Sequence, residues 1–145
     1  MKSSDSWRAT PRRDPGVTKF EVLKWIHLLA AAVWTGGLIV LAFSVDAIRK
    51  QTDDREVLRA VARRFGVVSW TALGIAIITG FTMYTDYGLP WSTFQTKGTL
   101  IAIVVVLALV HQFTAKKSSP AVRGILQLAI LVVSVLIFGA AVALV

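Results

Sequence analysis

The chain contains two histidines, His27 and His111, and both lie within strongly apolar segments. Packing alone explains these two side chains less well than any others in the sequence. An ionisable side chain inside a bilayer is costly without a partner and therefore marks a functional site by default. Imidazole can act there as a metal ligand, a proton carrier or a hydrogen-bonding group between helices. We predict both histidines as candidate metal ligands, with interhelical hydrogen bonding as the alternative.

Further candidate binding residues surround His27. The segment 24–37 reads KWIHLLAAAVWTGG, and helical spacing places His27 on one face with Ala30, Ala31 and Trp34. Small side chains beside a large ring can form the wall of a site for a flat cofactor. The same pattern is also typical of an ordinary packed helix interface. We therefore predict Trp34 as a cofactor-binding residue and keep the packing role open.

Haem b is the cofactor that suits imidazole ligands in a cysteine-free helical bundle. Copper is less favoured because Cu(I) prefers soft sulfur ligands, and the chain has no cysteine and only one internal methionine, Met83. The sequence has no Ser-His-Asp set, phosphate-binding loop, HExxH motif or pair of buried carboxylates, so hydrolase chemistry has no support.

Apolar segments must position these residues. Of the 145 residues, 55% are hydrophobic, and the mean hydropathy is +0.67. Four segments approach or exceed the length that crosses about 30 Å of hydrocarbon: 25–45, 65–85, 98–115 and 124–145. We predict an all-α polytopic membrane protein, a four-transmembrane-helix up-down bundle in a lipid bilayer, located in a prokaryotic inner (plasma) membrane.

The remainder of the chain divides into a tail and connectors. Residues 1–18 are polar and are predicted to be a flexible tail before a four-helix membrane domain at 19–145. In the connector 46–64, the half from Asp53 is predicted to be an amphipathic turn or helix on the lipid headgroups. Aromatic residues of the connector 86–97, including Trp91, are predicted to form an interfacial belt.

The net charge of +8 follows membrane topology rather than nucleic-acid binding, because nearly all Lys and Arg residues flank the apolar segments. The first and third connectors carry nine Lys and Arg residues on one side of the membrane, against seven on the other side. We predict that these two connectors face the cytoplasm and that both termini lie outside it.

Depth in the membrane separates the two histidines. The first and third helices run in the same direction, and His27 lies near the start of its segment whereas His111 lies near the end of its own. Their depths then differ by roughly 15–20 Å, so we do not expect both to bind one iron. Lys97 lies at the membrane face of His27, where it could pair with a porphyrin propionate or another anion. An ordinary interfacial lysine is the alternative.

Contacts between the helices are expected to come from small and polar residues. Three pairs of positions are expected to provide surfaces for close approach: Ala32 with Gly36, Gly37 with Leu41, and Gly74 with Gly80. Gln127 and Ser134 lie seven residues apart on one face of the fourth helix, where each is expected to form an interhelical hydrogen bond.

Over about 24–140, the chain resembles the copper-resistance protein D superfamily and the related bacterial membrane protoporphyrinogen oxidases. The resemblance rests on a set of short motifs in order: His27 with Trp34-Thr-Gly-Gly37, Arg64-Phe65, Thr79-Gly80, Lys97 and His111. It implies a helical membrane domain, with one branch linked to copper uptake or resistance and the other to haem binding and late tetrapyrrole oxidation. By this resemblance, His27 is the first haem-ligand candidate and Lys97 is its functional neighbour.

Three functions follow as hypotheses. The first is a b-haem-binding membrane protein in electron transfer or tetrapyrrole oxidation, which leaves open whether the chain is an enzyme. The second is a component of copper transport or resistance. The third is a small non-catalytic subunit of a larger respiratory or photosynthetic membrane complex. A homo-oligomer is a further possible assembly.

Overall fold

The computed structural model describes residues 16–51, 54–88, 90–115 and 117–143. They form four helices in chain order: α1 (Lys19–Gln51), α2 (Arg55–Tyr87), α3 (Trp91–Thr114) and α4 (Pro120–Ala143). No strand occurs within these ranges, and the predicted all-α four-helix fold is confirmed. Most of the predicted flexible tail, residues 1–15, lies outside the described residues.

Local sequence signals account for the helix ends. The Thr18 amide donates to Glu21 Oε2 at 2.7 Å while the Glu21 amide approaches Thr18 Oγ1 at 3.3 Å, a capping box that starts α1. Asp54 accepts a hydrogen bond from the Glu56 amide at 2.7 Å and caps α2. Gly88 ends α2 with φ +60°, a left-handed conformation that favours glycine.

The first connector differs from its prediction. We expected a separate amphipathic segment from Asp53, but α1 continues to Gln51 and α2 begins at Arg55. The charged residues of this region extend the two long helices instead of forming a separate helix. At 1.5 Å per residue, each of these 33-residue helices is about 50 Å long, more than a bilayer core requires.

All four helices are long and apolar enough to cross a membrane. Large apolar side chains such as Leu29, Ile78 and Ile125 are exposed along them, as expected where lipid rather than water covers the surface. The chain is therefore an integral membrane protein whose helices contact the bilayer. The particular membrane and the orientation remain predictions.

The bundle consists of two helical hairpins. α1 packs along α2, and α3 packs along α4, while α1 and α4 join the two pairs. Gly37 allows the close approach of α1 and α2, because a Cβ atom there would lie 3.0 Å from the Phe65 ring. The buried core draws on all four helices: Trp34, Leu38, Ala72, Leu73, Val104, Ala108 and Ile130.

Candidate functional site

A cavity of about 380 Å³ lies among the four helices and is lined by residues of each. Its volume falls within the roughly 300–1,000 Å³ that is usual for ligand sites in proteins. Most of the lining is aliphatic or aromatic, with few polar side chains. The polar and titratable lining residues are His27, Thr35, Tyr84, Lys97 and Ser134. An apolar wall with a few polar groups is the usual composition of a cofactor or ligand site.

The imidazole of His27 is fixed by α2. Its Nδ1 atom lies 2.8 Å from the carbonyl oxygen of Ala76 and 3.2 Å from Thr79 Oγ1. Because a carbonyl oxygen can only accept, Nδ1 carries a hydrogen, and in the neutral imidazole Nε2 then keeps its lone pair. Nε2 forms no hydrogen bond with any part of the chain that the structure describes. In its neutral form, His27 therefore offers one oriented ring nitrogen with a lone pair, and the residue lines the cavity.

The Thr79-Gly80 pair forms the surface against which this imidazole packs. Thr79 is buried and donates to the Ile75 carbonyl at 2.7 Å, so its oxygen can accept from His27. A Cβ atom at Gly80 would lie 3.0 Å from His27 Cε1, so a larger residue would displace the ring. Gly80 thus allows the contact between His27 and α2.

Lys97 is half-buried and lines the same cavity as His27. The structure brings these two residues to one cavity, while the role predicted for Lys97 stays a prediction. Within the described ranges, the Lys97 ammonium has no hydrogen bond or ion pair to the protein. A cation in a largely apolar cavity without a protein counter-ion favours an anionic ligand there.

Trp34 also lines the cavity, and its indole has a definite structural partner. Nε1 donates to Ser134 Oγ at 3.0 Å, and Ser134 donates in turn to the Ile130 carbonyl at 2.8 Å. The predicted interhelical hydrogen bond of Ser134 is confirmed. The same prediction is wrong for Gln127, whose Nε2 atom is buried without a partner among the described residues.

His111 lies outside this cavity, near the end of α3 and within electrostatic reach of Arg123 on α4. The structure thus separates the two histidines, in agreement with their predicted difference in depth. Across the described ranges, no three His, Asp or Glu side chains come together in a group that could hold a metal ion. His27 is therefore the histidine that combines with Lys97 in one site.

The sequence did not predict the aromatic cluster that joins α2 to α3. The rings of Tyr84 and Phe94 stack with centroids 4.2 Å apart, and both line the cavity. Trp91 packs on Phe94 at 5.4 Å, in keeping with its predicted place among the connector aromatics. Phe81 and Tyr84 were not predicted as part of this cluster, because they lie within the second apolar segment rather than in the connector. Their spacing of three residues, which places them on one helix face, was the available signal.

Comparisons of the chain with protein-family models, curated proteins and solved structures found no match. Fold and site together define a class: a four-helix integral membrane protein with a histidine and a lysine in a cavity among its helices. The resemblance to the copper-resistance protein D superfamily therefore stays a prediction. The hypotheses of copper transport and of a subunit in a larger membrane complex also stay predictions.

Proposed function

We propose that this protein binds b-type haem in the membrane through His27 and acts in electron transfer or tetrapyrrole oxidation. One observation carries the proposal: Nδ1 of His27 donates to the Ala76 carbonyl while Nε2 is left with a lone pair at the cavity. Histidines that bind metal ions almost always donate their other ring hydrogen to a carbonyl, a carboxylate or water, which fixes the tautomer and the ring orientation.

The lining of the cavity fits a flat, largely apolar group. Its lining combines the small residues Ala31, Ala76, Gly98 and Ala102 with larger aromatic rings. A Cβ atom at Gly98 would lie 3.8 Å from the Phe94 ring, an ordinary van der Waals contact, so the glycine keeps this part of α3 slightly wider than alanine would. Haem held here would supply one-electron chemistry, and the protein would supply its orientation and its exclusion from water.

Lys97 supports an anionic tetrapyrrole in particular. The residue lines a cavity with few other polar groups, and its ammonium has no counter-ion within the described chain. A carboxylate side chain of the ligand would provide that counter-ion. Lys97 would then bind the periphery of the ligand while His27 binds its centre. The resemblance likewise implies that His27 is the first haem-ligand candidate and that Lys97 is its functional neighbour.

An absorbance spectrum tests the proposal. The full chain, purified from a haem-replete membrane, should show a Soret band. His27→Ala should remove or strongly shift that band and leave a folded bundle. His111→Ala is the matched control, because it also removes an imidazole but acts outside the cavity, and it should keep the band. Unchanged absorbance per mole of folded His27→Ala protein would refute the proposal, as would equal loss in both variants.

A further inference from the structure

Three buried polar nitrogen atoms lie where α3 meets α4, away from the cavity. They are Nδ1 of His111, Nε of Arg123 and Nε2 of Gln127, and none has a hydrogen-bond partner among the described residues. Buried polar atoms in folded proteins are nearly always paired with protein, water or an ion. Three unpaired nitrogens on two packed helices therefore need hydrogen-bond acceptors that the described chain does not itself provide.

The chain order brings these residues to one end of the α3–α4 hairpin. His111 lies three residues before the last residue of α3, and Arg123 lies three residues after the first residue of α4. The two helices pack against each other, and Arg123 acts electrostatically on His111. Gln127 is four residues after Arg123 and therefore lies on the same face of α4.

All three nitrogens can donate at the same time, which sets the chemistry of the ligand. Arg123 Nε and Gln127 Nε2 are obligatory donors, and His111 Nδ1 donates in one of its two neutral tautomers and when charged. A ligand that satisfies all three must present several acceptor oxygens. The terminus of α4 does not supply this site, because the Val122 amide already bonds to Ser119 Oγ at 3.3 Å.

The surrounding charge favours an anion. The connectors at this end, residues 46–64 and 116–123, contain nine Lys and Arg residues against four Asp and Glu residues. His111 is only about 4.5 Å along the helix axis from the end of α3, which is near headgroup depth for a membrane helix. Basic sites between transmembrane helices bind the phosphates of anionic lipid headgroups.

We propose that His111, Arg123 and Gln127 form an anion site that binds a phosphate group, either of an anionic phospholipid or of free inorganic phosphate. Arg123 provides the permanent charge of the site, and the imidazole and the amide complete its donor set. This site is independent of haem binding at His27.

The test uses the full chain, purified in uncharged detergent and freed of bound lipid. Phosphatidylglycerol and inorganic phosphate are titrated separately while thermal unfolding is measured. We expect at least one of them to raise the unfolding temperature of the unsubstituted protein. Arg123→Gln should weaken that response by about tenfold or more, the loss expected when one charged hydrogen bond is removed. Arg59→Gln, at an exposed position on the same side of the bundle, is the matched control and should respond normally.

Gln127→Leu keeps the test decisive if Arg123→Gln fails to fold. It removes a buried amide without a partner, so the bundle should fold while the response to phosphate weakens. A response to phosphatidylglycerol alone would assign the site to lipid, and a response to inorganic phosphate would assign it to the free anion. No response to either probe, or equal weakening in Arg59→Gln and Arg123→Gln, would overturn the proposal.

Discussion

At the scale of single residues, the two nitrogens of one imidazole ring have different roles. Nδ1 of His27 bonds to α2 through the Ala76 carbonyl, and Nε2 has no hydrogen-bond partner among the described residues. Gly80 makes this arrangement possible, because any side chain there would meet the ring at about the distance of a steric clash. The orientation of the His27 imidazole therefore depends on Gly80, a residue that has no functional group of its own.

Gly80→Ala tests this dependence. The added Cβ atom would lie 3.0 Å from His27 Cε1, so the ring must move and its Nε2 must change direction. We expect a shifted or weakened Soret band in a bundle that still folds. Gly74→Ala is the control, because it lies on the same helix and its Cβ would meet nothing within 4 Å. Identical spectra for the two variants would show that the position of the ring does not depend on Gly80.

Lys97→Gln tests the pairing of the ammonium with an anionic tetrapyrrole. Loss of one charged contact in a partly buried site should weaken retention of the pigment by about tenfold or more. Lys97→Arg should restore part of this loss, since it keeps the charge. Lys24→Gln removes an exposed cation near the same membrane face and should have no effect. If all three variants retain pigment equally, Lys97 is an ordinary interfacial lysine.

The sequence predicted residue types better than their partners. His27 and Lys97 could be identified because ionisable groups are rare in apolar segments and their heights follow from helix rise. The hydrogen bond from His27 to Ala76 could not be predicted, because its acceptor is a backbone carbonyl and every residue has one. The lack of a partner for the Gln127 amide could not be predicted either. A polar residue in an apolar helix indicates that a hydrogen-bond partner is needed, but the sequence does not show whether one is present.

At the scale of helices, the bundle is two hairpins that meet mainly along α1 and α4. The hydrogen bond from Trp34 to Ser134 is a polar link between them, and both residues are more than nine-tenths buried. The number of helices and their order were predictable from hydropathy. The prediction of an amphipathic segment on the headgroups after Asp53 was wrong. Charged residues at the end of a long helix produce the same local sequence pattern as a helix that lies on the headgroups.

Trp34→Phe tests the link between the hairpins. It keeps an aromatic ring but removes the Nε1 donor, while Ser134 still bonds to the Ile130 carbonyl. We expect a loss of about 0.6 kcal/mol in the free energy of unfolding, and at most about 2 kcal/mol, as for other hydrogen bonds between membrane helices. Denaturation in detergent measures it. Trp25→Phe, at an exposed position of the same helix, is the control, and equal stability of both variants would contradict a stabilising role.

At the scale of the whole molecule, the orientation in the membrane follows from the distribution of basic residues. The first and third connectors carry more Lys and Arg than the other side, so they should face the cytoplasm. A cysteine at Ser118 should then resist an impermeant thiol reagent added to intact cells, while a cysteine at Ser92 should react. The native chain contains no cysteine, so each variant reports one position. The reverse labelling would mean that the basic N-terminal tail determines the orientation.

The hairpin arrangement also bears on how the protein could be assembled during synthesis. Both hydrogen-bond partners of His27 belong to α2, whereas Lys97 and Ser134 belong to α3 and α4 and are synthesised later. We expect a nascent chain that has inserted only its first half to orient the imidazole without enclosing the cavity. We expect residues 1–88 and 89–145, produced as separate polypeptides in one cell, to associate and regain the pigment spectrum. The first half alone should not retain pigment, so cofactor loading would wait for the second half of translation.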